Sequence, residues 1–202
     1  MWSGVIIRGS RGSILLLRAA LGLGLCSAMA TQLWLLKADG LFAWEHVLPL
    51  HLCSLFGVLS LLMLWHAPGV LLEACCFLGA PCAFLTLFFP VVVQCSHPLL
   101  MKAAFVQLHV LVALMPLYFY CTNKPLPTDP RRTMVAGSGY LLFISLFNRI
   151  FKTNFLFLRA APANTPLEWL FSRGEGFYVC ALLMLAMLAF SWLKPLYAYF
   201  RK

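Results

Sequence analysis

The chain reads as an all-α, single-domain membrane protein, a bundle of six transmembrane helices, on three observations. It is 62% hydrophobic and 10% charged over 202 residues, where soluble domains carry about 25% charged residues. Its mean hydropathy is +0.89. Six segments suit the helix of about 20 apolar residues that crosses a hydrocarbon core of roughly 30 Å. They are residues 14–36, 46–65, 69–89, 98–120, 133–151 and 177–200, and with short connectors they account for the chain.

The first segment follows Arg8 and Arg11, and Ala28-Met29-Ala30 has the small-residue pattern of a signal-peptidase site. Arg18 interrupts the run, however, and apolar residues continue through Trp34 to Leu36, so a retained helix with a snorkelling arginine is expected. His66-Ala67-Pro68-Gly69 is a tight turn between the second and third segments. Pro90 closes the third and Pro98 opens the fourth. Pro125, Pro127 and Pro130 exclude helix between residues 122 and 132. The long connector of residues 152–176 carries Phe155, Phe157, Trp169 and Phe171, which suit a membrane interface. Glu73, at the start of the third segment, is expected to be an interface carboxylate at the opposite end of the bundle.

The net charge of +9 does not indicate nucleic acid, because the cations sit at span ends without a basic stripe or an aromatic platform. Arg8, Arg11, Lys124, Arg131, Arg132, Arg201 and Lys202 fall on one side of a six-span topology, and Lys37, Lys152, Arg159 and Arg173 on the other. This asymmetry places both termini in the cytoplasm of a cell-membrane protein. The cysteines show no Cys-x-x-Cys and no spacing with histidine that suits zinc, so no metal, cofactor or structural disulfide is expected. No internal repeat supports an inverted-repeat transporter.

Chemistry concentrates in Glu45-His46-Val47-Leu48-Pro49-Leu50-His51-Leu52-Cys53. Ionisable groups within a span cost ~2.5–3.5 kcal/mol each on insertion scales, so they usually serve a function. At 1.5 Å per residue, Cys53 lies about 10 Å and His109 roughly 16 Å from the start of its span, with Asn148 roughly 8 Å below the same face. A thiol, an imidazole and a carboxamide from three spans therefore share one half of the bilayer. His46, Cys53, Gly57 and Ser60 form one helical stripe and Ser138, Ser145, Asn148 and Lys152 another, both expected to face the bundle interior. Pro49 suits a first helical turn, which predicts a helix starting there and leaves His46 on an interfacial segment.

Leu48-Pro49-Leu50-His51-Leu52-Cys53, with Asn148-Arg149-Ile150-Phe151-Lys152-Thr153-Asn154-Phe155-Leu156-Phe157-Leu158 further on, resembles the YwaF/transmembrane protein 164 family of integral membrane proteins. The resemblance covers about residues 45–169. Where the family often carries Gly-Thr-Asn-Tyr, this chain has Lys152-Thr153-Asn154-Phe155 and lacks that tyrosine hydroxyl. The resemblance implies phospholipid acyl-chain chemistry through an essential cysteine and histidine, carried here onto Cys53 and, by depth, His109. An acyl-cysteine splits one transfer into two easier steps, and the imidazole removes the thiol proton and later protonates the departing lysolipid. His51 or Asn148 is a candidate donor to the oxyanion. Arg149, Lys152 and Arg159 are candidate phosphate partners, with Asn154 beside them. A transporter or small-solute binding protein, with the same polar groups lining a pathway, is the alternative. A scaffold without chemistry is a third reading.

Overall fold

The computed structural model describes residues 11–162 and 165–200. Arg8, Arg201 and Lys202, used in the sequence argument, lie outside the described residues. The regular elements among the described residues are helical: α1 (Arg11–Ala38), α2 (Trp44–Val47), α3 (Leu52–Trp65), α4 (Gly69–Ala74), α5 (Ala80–Phe88), α6 (Pro98–Ala113), α7 (Met115–Cys121), α8 (Arg131–Phe151), α9 (Pro166–Phe171) and α10 (Glu175–Phe200). A π-helical turn (Cys75–Gly79) joins α4 to α5, and a 3-10 turn (Phe155–Phe157) follows α8.

Among the described residues, four helices are long and apolar enough to cross a membrane: α1, the continuous Gly69–Phe88, α8, and Gly176–Tyr199 within α10. The pair α6 and α7, bent by 42°, makes a fifth. Pro116 in the first turn of α7 accounts for the bend, because its ring excludes the hydrogen bond that a continuous helix would make there. The second predicted segment, represented by α3, has 14 residues and is about 21 Å long, short of the roughly 30 Å core. The helical membrane class is as the sequence predicts, with fewer full-length spans.

Local chemistry sets the ends of these helices. Gly40 adopts φ +68° after α1, and Leu41 N–H donates to the Leu36 carbonyl at 2.8 Å. That pairing is the left-handed glycine stop that satisfies a last-turn carbonyl. Helix α3 begins at Leu52 rather than at Pro49. The Tyr140 hydroxyl occupies the Leu50 carbonyl at 2.7 Å, while the His51 carbonyl opens the helix by accepting from Leu55 N–H at 2.9 Å. His46 sits exposed on the separate helix α2, as the position of Pro49 implied.

The core forms where α1 packs antiparallel to both α6 and α3. Gln32 Nε2 donates to the Ala104 carbonyl, Gln107 Nε2 to the Gly24 carbonyl, and Arg18 Nε to the Tyr118 hydroxyl. Residue numbers fall along α1 as they rise along α6. A Cβ added to Gly57 would meet Leu108 at 2.9 Å and Met29 at 3.5 Å, so this glycine seats α3 closely against both α6 and α1. Gly22 lies against Leu64 in the same antiparallel sense. Both α3 and α6 oppose α1, so they run parallel to each other, as alternate spans must.

The π-turn admits the Phe56 ring against Gly79, where an added Cβ would come within 2.5 Å. Its altered pairing brings the Cys76 carbonyl to the Tyr197 hydroxyl of α10 at 3.0 Å. Phe77 in the same turn packs edge-on against Phe190 and Tyr197. Glu73 departs from the expected interface role: it is buried, and its Oε1 accepts from both the backbone N–H and the hydroxyl of Thr133. The polar stripe of α3 does face inward at Gly57 and Ser60. That of α8 does so only at Asn148, with Ser145 half-buried and Ser138 exposed. Docking through Thr133, Ile144 and Asn148 turns the helix so that Ser138 faces outward.

Candidate functional site

The asparagine segment folds into a compact knot after α8. Lys152 takes a left-handed conformation (φ 56°) and ends the helix. Asn148, with no exposed surface, holds the turn that follows. Its Oδ1 accepts from Phe155 N–H at 2.8 Å and from the Thr153 hydroxyl at 2.9 Å, and its Nδ2 donates to the Phe155 carbonyl at 2.8 Å. Asn154 repeats the device further out, accepting from Arg159 and Ala160 N–H and donating to the Ala160 carbonyl. Arg159 Nη1 donates to the carbonyls of Asn148 and Thr153.

These bonds hold strained backbone. Leu156 and Phe157 sit at φ 57° and 56°, a left-handed region that costs L-residues about 1–2 kcal/mol each. Such strain persists where the surroundings over-determine it, and it clusters at functional sites. The strain aims two phenyl rings at one imidazole: His51 lies 5.3 Å from Phe155 and 5.3 Å from Phe157, centroid to centroid. His51 is also the N-cap of α3 but makes no side-chain cap.

Cys53 follows two residues later, in the first turn of α3, half-buried. Its sulfur lies 3.5 Å from the Thr86 hydroxyl of α5, which donates to the Cys82 carbonyl at 2.8 Å. His109 is buried on α6, its ring 4.0 Å from that of Phe105 and its Nδ1 2.7 Å from the Phe105 carbonyl. A carbonyl only accepts, so Nδ1 carries the hydrogen and Nε2 is left as the basic nitrogen. The thiol and this imidazole are not hydrogen-bonded to each other. From the Gly57–Leu108 contact, Cys53 lies about 6 Å towards one face and His109 about 1.5 Å the other way along the parallel helices.

The structure thus joins His51, Asn148, Asn154 and Arg159 into one assembly with Cys53 beside it, and places His109 deeper on a neighbouring helix. Lys152 is exposed where α8 ends, and Arg149 is exposed in its last turn. At the same end of the bundle, Asp39 bridges two connectors by accepting from the Ser96 hydroxyl and backbone N–H, each at 2.6 Å. The Ser96 hydroxyl, followed by the N–H, holds the Asp39 carboxyl below the usual carboxylate range. Sequence reasoning missed Thr86 and Tyr140, single hydroxyls in apolar runs. The four-residue spacing of Cys82 and Thr86 was the one available signal, since a threonine commonly bonds the carbonyl one turn back.

Together these features define a polytopic helical membrane protein with a thiol, two imidazoles and a strained polar loop towards one end of its bundle. The family model for the TMEM164 family matches residues 2–194, and the chain belongs to that family. Neither the curated proteins nor the solved structures give a match.

Proposed function

We propose that this protein is a membrane-embedded acyltransferase or esterase acting on glycerophospholipids, with Cys53 as nucleophile and His109 as base. In this reading it resides in the cell membrane with both termini cytoplasmic. The position of Cys53 carries the proposal. In this reading a thiol in the first turn of a short helix, at the bundle end that also carries Lys152 and the Asp39 connector, lies where hydrocarbon meets headgroup, the depth of a phospholipid's ester carbonyls.

The sulfur attacks the ester carbonyl carbon, and the tetrahedral intermediate collapses to an acyl-cysteine and a lysolipid alkoxide. Nε2 of His109 takes the thiol proton through intervening water and returns it to the alkoxide. First-turn N–H groups of α3, which no side chain caps, and the His51 ring face the developing oxyanion. An acceptor hydroxyl, or water in an esterase, then attacks the thioester and restores the thiol. Arg149 and Lys152 approach the lipid phosphate. Asn148, Asn154 and Arg159 act by shaping the loop.

The test is the lipid mass profile of cells expressing the wild type, Cys53→Ala and His109→Ala. The wild type alone should shift acyl composition. If neither substitution alters it while solute uptake falls, the enzyme reading fails and the transport reading replaces it.

A further inference from the structure

The thiol of Cys53 is one end of a hydrogen-bonded chain whose polarity can be assigned. The Thr86 hydroxyl has one hydrogen, and it faces the Cys82 carbonyl at 2.8 Å, an oxygen that can only accept. The contact between Cys53 Sγ and Thr86 Oγ1 at 3.5 Å therefore has one remaining donor, the S–H. From this accounting we infer that Thr86 is the positioning residue of Cys53, accepting the thiol hydrogen at rest and donating its own hydroxyl hydrogen to sulfur once the thiol proton has left.

The inference rests on the acyl-cysteine reading for its purpose, though not for its geometry. With the S–H pinned to α5, the sulfur lone pairs turn away from that helix. When the S–H bond breaks, the proton goes to Nε2 of His109 through intervening water and the electron pair stays on sulfur. The Thr86 hydroxyl then rotates from the Cys82 carbonyl to the sulfur, exchanging one hydrogen bond for a charge-assisted one. The Cys82 carbonyl gives up only its second donor, because its helical N–H partner remains. Among the described residues, Thr86 is the side-chain hydrogen-bond partner of the Cys53 thiol. A thiolate here has Thr86 as its side-chain donor.

Infrared spectroscopy of the full-length protein in lipid reads the first half directly, using the S–H stretching band of Cys53 isolated as wild type minus Cys53→Ala. That band should lie below the band isolated in the same way for Cys75, a thiol buried in the apolar core. Thr86→Val should raise it to the Cys75 position and Thr86→Ser should leave it in place. A wild-type band at the Cys75 position overturns the inference without needing any Thr86 variant to fold. The second half is read by alkylation of Cys53 with a membrane-permeant maleimide. Thr86→Val should slow it about tenfold, the scale of one hydrogen bond to a charged group, and Thr86→Ser should restore it. An unchanged rate in folded Thr86→Val removes the thiolate-donor role. A failed acyltransferase reading appears separately, as the absence of a hydroxylamine-sensitive acyl group on wild-type Cys53 with the band shifts intact.

Discussion

Glu73 at the start of the third span caps a helix to which it does not belong. Its carboxylate accepts from the Thr133 backbone N–H at 2.8 Å and from the Thr133 hydroxyl at 3.0 Å, so α4 supplies a buried anion to the N-terminus of α8, beside the exposed Asp129 that accepts from Arg131 N–H. Helix N-termini favour negative charge, and α8 has no acidic residue in its first turn. Glu73→Gln, which keeps an acceptor oxygen but not the charge, should destabilise the protein by about 1 kcal/mol. Glu73→Leu should cost about 2–3 kcal/mol by leaving buried donors unpaired. Unfolding in detergent by denaturant titration measures both, and a Glu73→Gln protein as stable as the wild type would contradict a charge-assisted cap.

Asn148 organises the turn after α8 with three hydrogen bonds and no exposed surface. Asn148→Ala should destabilise by roughly 2–3 kcal/mol, because the Phe155 N–H and carbonyl lose their buried partner. The signature should be local. Amide exchange should accelerate over residues 152–160 while α1 and α6 remain protected, so acceleration spread evenly through the bundle would refute a local role.

His51 touches the loop through ring packing against Phe155 and Phe157. Such contacts are worth about 1 kcal/mol beyond the area they bury. His51→Phe should keep the fold and the thermal midpoint, whereas His51→Ala should lower stability by about 1 kcal/mol. Acyl-cysteine formation separates packing from chemistry. It should slow in His51→Phe, which lacks the oxyanion donor, and a rate equal to wild type would limit His51 to packing.

Asp39 ties the connector after α1 to the one before α6 through Ser96. Its carboxyl is held below the ordinary value in the folded protein. The tie's contribution is therefore complete above the unfolded value of about 3.9 and is lost as pH falls through the lower folded value. Between pH 5 and 8, roughly, the thermal midpoint should show no dependence on this pair. Below about pH 4 the wild type should lose stability that Asp39→Asn, lacking the titration, does not lose. Parallel acid profiles of the two proteins would remove Asp39 from the account.

Much of the membrane architecture was legible because the relevant signals are local. Apolar runs marked the helices, Pro98 marked a start, and Pro125, Pro127 and Pro130 marked a connector without helix. The motif around Cys53 and Asn148 was also visible as unusual polarity in apolar sequence. The start of α3 was less legible, because Tyr140, ninety residues away in the chain, occupies the Leu50 carbonyl. The role of Asn148 was hidden for a related reason: a carboxamide in a span reads the same whether it faces a ligand or its own loop.

By itself the sequence determined the class, the approximate helices and the residues able to do chemistry, since hydropathy, proline and glycine act over a few residues. Only the tertiary structure decided what those residues face. It gave Cys53 the Thr86 hydroxyl, turned His109 so that Nε2 is its basic nitrogen, and enclosed Asn148 within its loop. Hydrogen-bond direction and helix register depend on side chains far apart in the chain, and the contact of Gly57 with Leu108 that sets the height of Cys53 against His109 exists only once α3 and α6 have packed.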